Sequence, residues 1–102
     1  MATIRNTFLR DYGINEQEAE ELLNYCRFAG AMEQKIVLKA AQMANDSIAV
    51  PIFVNLTTGI GYDRLNDWIE IPMQRKDFQG YRRKALSVLR SLIKSSEKAE
   101  LN

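Results

Sequence analysis

Histidine is absent from this 102-residue chain, cysteine occurs once and proline twice. Without histidine, the commonest general base and the commonest metal ligand are missing. One cysteine and no histidine leave no nitrogen–sulfur set for a zinc ion, so no metal and no cofactor is expected. Cys26 has no second cysteine to form an intramolecular disulfide, which fits a reducing compartment. Asp46, Ser47 and Asn55 interrupt the longest apolar stretch, well short of the roughly 20 apolar residues that span a bilayer. The opening Met1-Ala2-Thr3-Ile4-Arg5-Asn6 lacks the apolar centre of a signal peptide. The expectation is a cytoplasmic protein with no membrane partner. A glycine-rich phosphate loop, a Gly-x-Ser-x-Gly elbow and an aspartate-rich calcium loop are also missing, so the chain is expected not to be an enzyme and no catalytic residue is assigned.

What is present suits one small domain. Hydrophobic residues make up 46% and charged residues 26% of the chain, enough for a single core. The net charge of +1 hides an uneven distribution. Residues 1–70 carry six basic and ten acidic side chains, a net of −4, whereas residues 71–98 carry eight basic and two acidic ones, a net of +6. Such a basic segment suggests a polyanionic partner, or pairing with the acidic half.

The periodicities are helical. Residues 1–13 are compatible with a short helix ended by Gly13. Asn15 is an N-cap with Glu18 in the capping-box position, followed by Ala19, Leu22, Leu23 and Cys26 at helical spacing. A second helix is expected from about Met32 to Ala44, with Met32, Ile36, Val37, Ala40 and Met43 as its apolar stripe and both methionines as core fillers. The third element, about 48–58, reads as the most buried helix, with Pro51 in its first turn and Gly59 as its C-cap; its β-branched residues are also compatible with a strand. A short element over 62–69 stops at Ile71-Pro72. Asp77 is the expected cap of a final helix running from Phe78 to about Lys94, with Phe78, Tyr81, Ala85, Val88 and Leu92 on one face. Gly80 sits inside that helix at a cost of ~1 kcal/mol relative to alanine, which suggests a close approach there. Residues 96–102 read as a frayed tail. The expected fold is all-α: a compact bundle of about five helices within residues 1–95, with a helix-turn-helix-like pair over 60–95.

The basic segment has the layout of a DNA-reading unit. Lys76, Arg83, Arg90 and Lys94 fall opposite the apolar stripe of the last helix. Gln79 and Arg82 lie near its start, where side chains reach base edges: Gln pairs with adenine and Arg with guanine. Arg75, Lys76, Gln79, Arg82, Arg83 and Arg90 are therefore the candidate DNA-binding residues. Tyr62, Leu65, Ile71, Pro72, Arg83, Ala85, Leu86, Leu89 and Arg90 follow the pattern Tyr-x-x-Leu, Ile-Pro, Arg-x-Ala-Leu-x-x-Leu-Arg. This pattern resembles the helix-turn-helix of sigma-factor region four and related phage activators. Over its whole length the chain also resembles small uncharacterised proteins carried by prophages and mobile elements of Gram-positive bacteria. The resemblance implies a regulatory protein that binds double-stranded DNA; a homodimer suits that binding, since one small unit gives modest affinity and operators often mirror a two-fold. Asn66 and Glu70 stand where the family places alanine and glycine, and the stretch from Pro72 to Ala85 is two residues longer. These departures suit a rival reading, a small phage-type inhibitor or adaptor that grips a host protein.

Overall fold

The computed structural model describes residues 3–101, with side chains described through residue 97. Two 3-10 turns, Ile4–Asn6 and Leu9–Tyr12, precede five helices: α1 (Glu16–Arg27), α2 (Ala31–Ala44), α3 (Ala49–Thr58), α4 (Tyr62–Trp68) and α5 (Arg75–Leu101). A further 3-10 turn, Asp46–Ile48, leads into α3. No strand occurs among the described residues, so the β-branched run of α3 is helical. None of the described helices is long and apolar enough to cross a membrane.

The punctuation follows local chemistry. Gly13 and Gly59 adopt positive φ, 76° and 82°, and each ends the element before it in the left-handed conformation that glycine tolerates without a Cβ clash. The Asn15 side chain accepts a hydrogen bond from the Glu18 backbone N–H at 2.8 Å and caps α1. Pro51 lies in the first turn of α3, where its missing N–H removes no intrahelical bond. Asn66 gives the link between α4 and α5 its shape: its side-chain oxygen accepts from the Ile71 N–H at 2.9 Å.

α5 is the axis of the fold. Its broadest contact is with α2, and both N-terminal turns, α1 and α3 also pack on it. Phe78, Ala85, Leu86 and Leu89 of α5 are fully buried, together with Val37, Ala40 and Ala41 of α2 and Ile52 and Leu56 of α3. The small alanines on α2 allow its backbone to come close to α5, since interaxial distance is set by the side chains at the contact. Each large buried side chain contributes about 1.5–3 kcal/mol relative to exposure.

Four expectations are corrected. Met32 is 70% and Met43 54% exposed; α2 buries the face of Val37, Ala40, Ala41 and Ala44, a row of small residues that outweighs the larger methionines because α5 sits so close. Asp77 is not the cap of α5, which starts two residues earlier at Arg75; its carboxylate binds Arg5. The Glu18 carboxylate reaches Arg90, so only the Asn15 half of the expected capping box is made. The backbone is helical to Leu101, beyond the expected end near Lys94 and through most of the expected tail.

A cationic cleft at the start of α5

The charged face of α5 does not stand free. The segment Ile4–Tyr12 lies along it, and Gly80 is what lets it do so: a Cβ at Gly80 would overlap the carbonyl of Ile4. The contact that the mid-helix glycine suggested is therefore with the chain's own N-terminal backbone. Arg83 donates to the Thr7 carbonyl at 2.6 Å and to the Arg5 carbonyl at 3.3 Å. Arg90 donates to the Tyr12 carbonyl at 2.9 Å, and its Nε lies 3.1 Å from a Glu18 oxygen. In return, Arg5 binds Asp77 through two hydrogen bonds of 2.9 Å. This ion pair holds the Asp77 carboxyl below its usual pKa and raises that of Arg5.

The six candidate residues divide as a result. Arg75, Lys76, Gln79 and Arg83 come together with Arg5, Asn6 and Phe8 around an open cleft of about 380 Å³. A second cleft of about 330 Å³ adjoins it; it shares Arg75 and Gln79 and adds Tyr62, Asp63 and Arg64. Arg82 and Arg90 belong to neither. Arg82 turns into the body and donates to the Asn55 side chain at 2.5 Å, while Asn55 donates to the Ile60 carbonyl at 2.9 Å. Burial lowers the pKa of Arg82, and Arg27 and Arg83 add to the effect against the Cys26 contribution. Arg90 is spent on tying α5 to Tyr12 and α1. These two serve the fold, and their side chains are not presented as base readers.

Hydrogen bonds to carbonyls orient a guanidinium without neutralising it. Of the acidic side chains on α1, only Glu18 forms an ion pair with a described cation of α5. At the cleft, Asp63 takes Arg75 through both carboxylate oxygens at 2.5 Å, and Asp77 takes Arg5. Lys76 and Arg83 have no carboxylate partner among the described ion pairs, so the cleft keeps a net positive charge.

The connection between α4 and α5 differs from a short helix-turn-helix turn. It spans residues 69–74, longer than the usual three or four. α4 packs on α3. Besides the Asp63–Arg75 pair, Tyr62 ties it to the link and to α5: its hydroxyl donates to the Met73 carbonyl and its ring lies 5.6 Å from that of Phe78. Arg5, Asn6, Phe8 and Arg64 are the cleft residues that the sequence reading missed. Gly80 pointed at the first three, by marking a close approach without naming what approaches; nothing in the sequence pointed at Arg64. No family model, curated protein or solved structure matches this chain.

Proposed function

We propose that the chain binds DNA by gripping its phosphate backbone at the cleft formed by Arg5, Arg75, Lys76, Gln79 and Arg83. The supporting observation is the convergence of four of the six candidate residues on one cleft, in which Lys76 and Arg83 have no carboxylate partner among the described ion pairs. Phosphate contacts of this kind supply affinity and register without base readout. Insertion of α5 into a major groove does not fit, because Arg83 and Arg90 face the Ile4–Tyr12 segment. A regulatory role in a mobile genetic element is the setting that suits a small basic binder of this kind.

The test is affinity as a function of salt. Two to four neutralised phosphates give a log–log slope of about −2 to −4, or a loss of roughly ten- to hundredfold between 50 and 200 mM. Lys76→Ala is expected to weaken binding and reduce the slope by about 1. Absence of binding at the lowest salt would overturn the proposal. It would favour the rival reading, a module that grips a host protein, for which the exposure of Phe28 (85%) and Met32 (70%) speaks.

A further inference from the structure

Three arginines along the two clefts each lie over an aromatic ring. Arg64 stands 5.6 Å from the centroid of Trp68, Arg75 5.9 Å from that of Tyr62, and Arg83 5.5 Å from that of Phe8. The clefts share Arg75 and Gln79, so these pairs follow one continuous track across the first turns of α5. Trp68, 62% exposed, stands at one end and Phe8, 48% exposed, at the other. Trp68 joins the track through Arg64, which lines the cleft.

We infer that this track binds single-stranded nucleic acid, with phosphates over the arginines and Lys76 and with bases stacked on Trp68 and Phe8. The inference rests on the phosphate-gripping reading above and specifies the form of the ligand. Duplex recognition in the major groove needs a projecting element that enters the groove. Here the cationic face of α5 is overlaid by Ile4–Tyr12, and what remains is concave and shallow. Cations interleaved with exposed rings are what an unpaired strand requires, because its bases are free to stack and every base has a π-face. A duplex has its bases stacked on one another and offers these rings nothing but its sugar–phosphate exterior. Asp63 would repel a strand, but both of its oxygens are held by Arg75.

Trp68 is the only tryptophan, so its fluorescence reports stacking at one end of the track. Oligo-dT and oligo-U of about 12 nucleotides, within the usual range of single-strand site sizes, and a duplex of the same length are titrated at low salt. Binding is followed by anisotropy of labelled strands and by indole emission. The expected result is tighter binding of a single strand than of the duplex, with quenching of Trp68; the two single-strand arms show whether the ligand is DNA or RNA. Trp68→Ala is expected to weaken single-strand binding about tenfold and leave duplex binding unchanged, while Trp68→Phe retains most of the affinity. Equal affinity for both forms, tighter duplex binding, or single-strand binding without quenching would overturn the inference while leaving phosphate gripping intact. No binding of either form would overturn both.

Discussion

Replacing Gly80 by alanine sets two effects of opposite sign against each other. In a solvent-facing helix interior the change stabilises by about 1 kcal/mol, because alanine loses less backbone entropy on folding. At this position the new methyl group meets the Ile4 carbonyl, and backbone cannot move aside as a flexible side-chain end can. Overpacking of this kind costs about 1–3 kcal/mol. Displacing the N-terminal segment instead loses the Arg83 bonds to Thr7 and Arg5 and disturbs the Arg5–Asp77 pair. Hydrogen bonds to charged groups contribute roughly 1.5–3 kcal/mol each, and solvent screens the ion pair to a minor contribution. Against the propensity gain, overpacking leaves a net loss of up to about 2 kcal/mol and displacement a larger one, so the molecule takes the first route and a net loss of about 1–2 kcal/mol is expected. For a domain of this length that lowers Tm by roughly 4–16 °C. Urea denaturation measures the stability, and amide hydrogen exchange shows whether residues 4–13 lose protection before the rest of the molecule. A Gly80→Ala protein more stable than the parent by about 1 kcal/mol, with that segment still protected, would refute the packing of Ile4 on α5.

Arg83→Met keeps most of the side-chain length and removes both carbonyl bonds; a loss of about 3 kcal/mol is expected by denaturant titration, together with faster exchange in the Ile4–Tyr12 segment. Burial raises the Cys26 thiol from 9.0 to about 11, so the unfolded chain ionises first as pH rises. The contribution of this thiol to stability is therefore complete below about pH 9 and is lost as pH climbs through about 11, by up to about 1.4 kcal/mol per pH unit; Cys26→Ala should flatten that part of the curve, and native protein should react slowly with thiol reagents near neutral pH. Leu86→Ala, at a fully buried position of α5, is expected to cost about 2–5 kcal/mol, whereas Met32→Ala, on the surface, should stay within about 0.5 kcal/mol; paired thermal melts distinguish them.

Local chemistry along the chain determined much of this protein. Helical periodicity, the Asn15 cap, the stops at Gly13 and Gly59, Pro51 in a first turn and the Ile71-Pro72 break specify five helices, the first four close to their observed bounds, because each acts on its neighbours within a turn or two of backbone. Those same rules placed Gln79 and Arg83 in the last helix and Arg75 and Lys76 just before it; the structure extends that helix back to Arg75 and brings all four to one cleft.

What tertiary structure alone decided is the direction in which each cation faces and what covers it. A helical wheel places Arg82 and Arg90 near their basic neighbours, yet Asn55 lies 27 residues from Arg82 and Tyr12 lies 78 residues from Arg90. No local pattern encodes such separations. The same holds for Met32 and Met43, whose exposure follows from an alanine row on α2 closing against α5. Arg5, Phe8 and Arg64 enter the clefts because the N-terminal backbone crosses α5 at Gly80 and α4 begins beside the first turn of α5. Helix formation is a contest among neighbouring residues and is written in the sequence; burial and pairing depend on which distant surfaces meet, and only the folded chain settles that.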